Sequence, residues 1–141
     1  KFPGLTTTEK NIKISFEDLE EEISIFIDEN AIRRVLEQLL SNAFKFSPDD
    51  THIVVKLVKY ANVANISVSD QGIGIPKKLR PYIFNKFSKA TRRGTEGEES
   101  SGLGLYLAKN IVERHQGSIW YESEEGQGTN VYINLPVRDR V

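Results

Sequence analysis

The stretch Asp28-Glu29-Asn30-Ala31-Ile32-Arg33-Arg34-Val35-Leu36-Glu37-Gln38-Leu39-Leu40-Ser41-Asn42-Ala43-Phe44-Lys45-Phe46-Ser47-Pro48 decides how this chain folds. Its apolar positions Ile32, Val35, Leu36, Leu39, Ala43 and Phe46 recur at i, i+3, i+4 spacing, which predicts an amphipathic helix. Asp28 suits the N-cap, and Pro48 ends the helix. Gln38, Asn42 and Lys45 fall at i, i+4 and i+7, so they share one face beside the apolar stripe. The amide oxygen of Asn42 suits Mg²⁺, a hard cation that takes oxygen ligands, keeps several waters and shares substrate phosphates. Lys45 could neutralise phosphate. An ordinary solvated helix face would show the same pattern, because polar residues at such spacings are common.

Upstream of the helix, Asn11 to Phe16 and Glu22 to Ile27 alternate and flank an acidic turn, which reads as a hairpin. Downstream, His52 to Val58 and Val63 to Ser69 are rich in β-branched residues around Ala61-Asn62, so they read as neighbouring antiparallel strands. Asp70 stands at the end of the second, followed by Gly72-Ile73-Gly74-Ile75-Pro76. A short helical candidate runs from about Lys78 to Phe84. Residues 85–101 lack apolar periodicity, and a connection of that length is functional or disordered. Helical spacing returns from Gly102 to His115 and stops at Gly117. Two last strands, Ser118 to Ser123 and Thr129 to Leu135, flank Glu125-Gly126-Gln127-Gly128. The order argues an α/β two-layer sandwich: a mixed, mostly antiparallel sheet of about five strands with about three helices on one face.

With 141 residues, 38% of them hydrophobic, the chain fits one domain, 1–141, able to hold a core alone. A formal net charge of −1 offers no global attraction to nucleic acid or anionic lipid, so neither is expected as a partner. Cysteine is absent, which excludes disulfides, thiol catalysis and thiolate zinc sites. Any metal must be held by oxygen ligands. No apolar stretch approaches the ~20 residues of a membrane helix. The absence of Met suggests a piece of a longer protein.

Asp70-Gln71-Gly72-Ile73-Gly74 puts a carboxylate at a strand end before glycines that permit tight turns and close ligand approach. Such a carboxylate can accept a hydrogen bond from the exocyclic amine of adenine; a polar turn is the plainer explanation. The two glycines do not make a dinucleotide fingerprint, since Pro76 follows and no βαβ unit surrounds them. Gly102-Leu103-Gly104-Leu105 opens a helix whose first N–H groups would point at a polyphosphate. Seven basic residues and no acidic ones lie from Lys77 to Arg93, namely Lys77, Lys78, Arg80, Lys86, Lys89, Arg92 and Arg93. As a charge run this reads most simply as a solvated surface or a docking patch for an acidic partner.

Taken in order, Leu39-Leu40-Ser41-Asn42-Ala43-Phe44-Lys45-Phe46-Ser47-Pro48, Asp70-x-Gly72-x-Gly74, Ile83-Phe84-Asn85-Lys86-Phe87, Gly102-Leu103-Gly104-Leu105 and Gly126-Gln127-Gly128-Thr129 closely resemble the successive boxes of sensor histidine kinase catalytic domains. The resemblance runs from about Asn11 to Pro136. It implies the Bergerat ATP-binding fold, shared with gyrase, the Hsp90 chaperones and MutL, and the cofactors ATP and Mg²⁺. By position it implies that Asn42 ligands Mg²⁺, Lys45 contacts phosphate, Phe46 lines or stacks on adenine, and Asp70 holds the adenine amine. Gly72, Gly74 and Ile75 would shape that pocket and Thr129 would complete its adenine side. Residues of about 85–101 would form an ATP lid, anchored by Phe84 and Phe87 and hinged at Gly102, Leu103, Gly104 and Leu105 against the phosphates. The implied partners are a histidine-bearing dimerisation domain of the same kinase and a cognate response regulator. The domain itself is expected to be a monomer without membrane contact, cytoplasmic, within a parent that can be membrane-anchored.

Three departures stand out. Gln38 occupies the place of a second Asn, one methylene longer. Lys89, after Ser88, replaces a lid Arg and offers a point charge without the bidentate fork. Ser100-Ser101 replaces Gly-Thr. A gyrase-type ATPase would need a Glu general base where Gln38 stands, and an amide cannot take a proton from water. Glu37 is turned about 100 degrees away around the helix. An anti-sigma-factor Ser/Thr kinase resembles this chain in length and fold, but the Phe box and the Gly-Leu-Gly-Leu helix start favour the histidine kinase. A degenerate domain that only binds partners would not need the metal Asn and the adenine Asp, and both are intact. His52 and His115 read as structural, so the chain is expected to bind ATP without phosphorylating itself.

Overall fold

A computed structural model describes residues 12–17, 28–84 and 104–137. Within them five strands form one sheet: β1 (Lys13–Glu17), β2 (His52–Tyr60), β3 (Val63–Asp70), β4 (Ser118–Glu124) and β5 (Gly128–Pro136). The spatial order is β1-β2-β3-β5-β4. β1 runs parallel to β2, and the other neighbours are antiparallel. The expected mixed, mostly antiparallel sheet is therefore present. The strand expected at Glu22 to Ile27 lies outside the described residues, and the partner seen for β1 is β2.

Helix α1 (Glu29–Phe46) begins as its sequence indicates. Asp28 is extended, and its carboxylate accepts from the Asn30 N–H at 2.8 Å, satisfying one donor that the first turn leaves unpaired. At the other end Ser47 is extended and fully buried, and its hydroxyl donates to the Ala43 carbonyl at 2.7 Å. Helix α2 (Gly104–Arg114) starts inside the expected span, positions 102 and 103 lying outside the described residues. Its end is closed by the Gly117 N–H donating to Val112 O at 2.9 Å. The helix expected near Lys78 to Phe84 is a 3-10 helix, Lys77–Tyr82, with Pro81 inside it. Proline supplies no N–H and clashes with a longer i→i−4 ladder, so the segment stays short and tight.

Both α-helices cover one face of the sheet. The apolar stripe Val35, Leu39, Leu40 and Ala43 of α1 and Leu105, Ala108, Ile111 and Val112 of α2 join Ile53, Ile66, Val68, Val131, Ile133 and Leu135 in one core. Strand alternation separates the faces. Ile66 pairs with Ile133, which pairs with Ile119, all toward the helices, whereas the next row, Ser67, Tyr132 and Trp120, faces outward. On that outer face Trp120 stacks on Tyr132 with ring centroids 5.4 Å apart.

Backbone contacts bring the ends of α1, β3 and the β4–β5 turn together. The Ile73 N–H donates to Phe46 O at 3.2 Å, and the Gly126 N–H donates to Ile73 O at 2.9 Å. The loop after β3 thus bridges the helix end and the turn. A Cβ on Gly72 would lie 2.3 Å from Phe46 O, and one on Gly128 would lie 2.1 Å from Asp70 O, where φ is also +115°. These glycines are required because backbone packs on backbone. Gly126, with φ +78°, has nothing within 4 Å of a built Cβ. We expect Gly126→Ala to cost roughly 1 to 2 kcal/mol, the strain of a left-handed backbone alone. Gly72→Ala should cost more, roughly 2 to 4 kcal/mol, because overpacking adds to loss of the Ile73–Phe46 bond. Urea unfolding followed by Trp120 fluorescence checks the ranking, and equal losses would contradict the close-approach account.

Candidate functional site

At the end of β3 the Asp70 side chain turns back onto backbone. Its Oδ1 accepts from the Gly72 N–H at 2.8 Å and from the Thr129 N–H at 3.2 Å. One carboxylate oxygen therefore fastens both the following loop and the start of β5. Asp70 and Thr129 are paired residues on adjacent strands, and both line a cavity of about 350 Å³ with Ser123, Glu122, Glu124, Gln127, Gly128 and Asn130. Three carboxylates along that lining suit a neutral ring bearing N–H donors and repel phosphate.

Behind this cavity lies a second layer of hydrogen bonds. Ile75 is 2% exposed, and its N–H donates to Ser123 Oγ at 2.8 Å. Ser123 Oγ also lies 3.1 Å from Gly128 O and 3.0 Å from Thr129 Oγ1. The Arg80 guanidinium donates from Nε to Ile75 O at 3.2 Å and from Nη2 to Ser123 O at 2.6 Å. The Tyr121 hydroxyl donates to Arg80 O at 3.2 Å. Burial pushes the Tyr121 phenol above its usual pKa, with the Arg80 charge pulling the other way. Arg80 is thus a clamp between β4 and the loop after β3, which corrects the reading of the whole basic run as solvated surface; Lys77 and Lys78 are exposed. On the other flank Gln71 Oε1 accepts from the His52 N–H at 2.9 Å, tying the same loop to β2.

Gln38, Asn42 and Lys45 are half-buried along α1, neither core nor free surface, as their shared face requires. Phe46 is 4% exposed and helps wall the core where the loop after β3 docks. Glu37 is half-buried too. Gly74, at φ +76°, is met by Glu124 O at 2.2 Å from a built Cβ, so it seats the loop on the β4 end. Leu105 is buried in the core at the first turn of α2. Phe84 packs on Tyr121 with centroids 5.8 Å apart, and Lys109 Nζ lies 5.5 Å over its ring. Phe87, Lys89, Gly102, Leu103 and the expected lid, 85–101, lie outside the described residues.

Both histidines have structural partners. The Ser15 hydroxyl meets His52 Nε2 across the β1–β2 pair, and His115 Nδ1 lies 2.8 Å from Ile111 O in the last turn of α2. Among the described residues no group of three His, Cys, Asp or Glu is arranged to hold a metal. The available donor set, Asn42 with Gln38 one turn away, fits a Mg²⁺ held mainly by phosphates and water. No helix among the described residues is long and apolar enough to cross a membrane.

Sequence reasoning passed over Ser123 and took Arg80 only as one member of the basic run. Ser123 carried a signal, because on β4 it shares the inward face with Ile119 and Tyr121, and a hydroxyl there needs partners. Arg80 carried none.

Comparison with known proteins agrees with this geometry. The profile of the family described as "Histidine kinase-, DNA gyrase B-, and HSP90-like ATPase" matches residues 27–139. The sensor histidine kinase WalK of Bacillus subtilis is 34% identical over 135 residues, covering 94% of this chain and 22% of that protein. The adaptive-response sensory kinase SasA of Gloeothece citriformis is 35% identical over 130 residues, covering 92% and 33%. The chain thus spans a minor part of the length of these relatives. The solved catalytic domain of histidine kinase ThkA superposes with a TM-score of 0.76 at 29% identity, over 89% of this chain and 80% of that one. Sequence motifs, sheet order and relatives converge, and the chain belongs to the histidine kinase-, DNA gyrase B- and HSP90-like ATPase family, as a catalytic domain of the sensor histidine kinase kind.

Proposed function

We propose that this domain binds Mg²⁺-ATP and presents its γ-phosphate to a histidine on a dimerisation domain of the same kinase, from which a response regulator is then served. The observation that carries this reading is the junction at Asp70. A carboxylate on a strand end is held by two N–H groups beside a neutral-ring-sized cavity, and the loop that follows is bonded to the end of the helix bearing Asn42 and Lys45.

In this reading Asp70 accepts from the adenine amine, and Thr129 completes the base side. Ile75, Gly72 and Gly74 give the loop its shape, and Phe46 closes the floor toward α1. The triphosphate runs toward α1 and the start of α2. Lys45 offsets its charge, while Asn42, with Gln38 in reach of the same face, offers an amide oxygen. Mg²⁺, when bound, supplies charge neutralisation and in-line alignment of the transferring group. Lys89 and the Gly102 to Leu105 segment are assigned to the phosphate end. The donor domain has little covalent work to do, because phosphoryl transfer rests on positioning and charge. A gyrase-type hydrolase is disfavoured by Gln38, whose amide cannot serve as a base. Within the parent kinase the domain is assigned to the cytoplasmic side, where ATP and response regulators are found.

The Asp70→Asn substitution tests the base assignment cleanly. The Asn oxygen can still accept from Gly72 and Thr129, which leaves the amide nitrogen where the second carboxylate oxygen stood, donor against donor. ATP affinity should fall at least about tenfold, the loss of one charge-assisted hydrogen bond, with little change in thermal stability. Calorimetry showing equal ATP and GTP affinity in the unaltered domain would overturn the assignment.

For the metal, ATP affinity should rise on adding Mg²⁺ to the unaltered domain, and Asn42→Ala should remove most of that gain. A gain that survives the substitution would exclude Asn42 as a ligand. Incubation with radiolabelled ATP should show negligible phosphate release and no stable phosphorylation of the chain. Brisk release abolished by Glu37→Ala would favour the hydrolase instead.

A further inference from the structure

Ser123 Oγ has three close partners and a single proton. It accepts from the Ile75 N–H at 2.8 Å, and it lies 3.1 Å from Gly128 O and 3.0 Å from Thr129 Oγ1. A carbonyl oxygen only accepts, so the contact with Gly128 is a hydrogen bond only when Ser123 donates to it. The lone pair left on Ser123 must then receive the Thr129 proton. All three contacts are satisfied together in this one arrangement of protons. Thr129 is 7% exposed, and Ile75 is 2% exposed, so leaving any of the three unpaired would be costly.

The consequence reaches the cavity that Thr129 lines with Asp70. With its proton committed to Ser123, the Thr129 oxygen can only accept from a ligand. Asp70, a carboxylate, also only accepts. At Asp70 and Thr129 the cavity therefore presents acceptors only. We infer that Ser123 is a specificity-determining positioning residue, which locks the Thr129 hydroxyl as an acceptor and so makes the site reject a 6-oxo purine in favour of a 6-amino one. The inference rests on the assignment of adenine to Asp70 and Thr129. Asp70 alone would favour the amine; the Ser123 lock keeps the Thr129 hydroxyl, its pair across β3 and β5, from turning to donate to a 6-oxo group.

The test uses ATP and inosine triphosphate, which differ at the purine by a 6-amino group against a 6-oxo group with its N1–H. Affinities of the 141-residue chain are measured by calorimetry with Mg²⁺. In Ser123→Ala the Thr129 proton is released to swing toward the cavity, and the ATP preference should fall about fivefold or more, one neutral hydrogen bond, chiefly by a gain in inosine triphosphate affinity. Ser123→Thr should preserve the preference. In a Thr129→Val background the Ser123→Ala substitution should leave the ratio unchanged, because no hydroxyl remains to reorient. A purely structural Ser123 would weaken both nucleotides by the same factor with the ratio intact, and that result overturns the inference. Should Ser123→Ala not fold, Thr129→Val alone decides. It should weaken ATP and spare inosine triphosphate, and equal weakening of the two overturns the lock. Absence of any ATP preference in the unaltered chain would instead overturn the adenine assignment itself.

Discussion

The Oδ1 atom of Asp70 receives N–H groups from Gly72, two residues on, and from Thr129, 59 residues on, and the surrounding architecture is arranged around that double acceptance. The first bond bends the chain out of β3 at a defined angle, so that Ile73 meets the last carbonyl of α1. The second pins the opening of β5, so that the turn before it reaches back to Ile73. Each of these segments has a backbone-to-backbone contact that no side chain could occupy, at Gly72, Gly74 or Gly128. A carboxylate that accepts two N–H groups is held in one orientation, which is also what a base-recognition group would require.

Much of this was legible in the linear chain, for reasons that differ from element to element. The stripe from Ile32 to Phe46 repeats on a 3.6-residue period over about four turns, and such a signal is hard to counterfeit. The strands from His52 onward were legible through β-branched density, although each ends one or two residues further along than alternation indicated, because pairing with a neighbour extends a ladder past the apolar run. The segment around Lys78 was harder. Its helical composition was evident, but Pro81 turns it into a 3-10 helix, and only the fold reveals that Arg80 aims inward at Ser123.

Function was legible by a different route. Asn42, Asp70 and the glycine pairs were each weak signals alone, and an ordinary polar face or turn explained any one of them. Their order along the chain carried the meaning. What order could not convey was division of labour. Gly72 and Gly74, read as permitting tight turns and close ligand approach, are also places where the protein's own backbone packs on backbone. Thr129 and Ile75 meet through the hydroxyl of Ser123, a residue whose neighbours are decided by the β4–β5 register and not by its local sequence.

The central position of β3 has a kinetic side. Its hairpin with β2 is local, but its other neighbour is β5, and the pairing of Asp70 with Thr129 closes across much of the chain. Long-range closures of this kind are slow steps in folding, because the loop entropy must be met before the contacts form. The corner where Asp70 meets Thr129 therefore belongs to the last part of the sheet to assemble. A chain emerging from the ribosome possesses α1, β2 and β3 well before it possesses a pocket. Nucleotide can then bind only the completed domain, so that at cellular concentrations it would act as a ligand that selects and holds the finished fold.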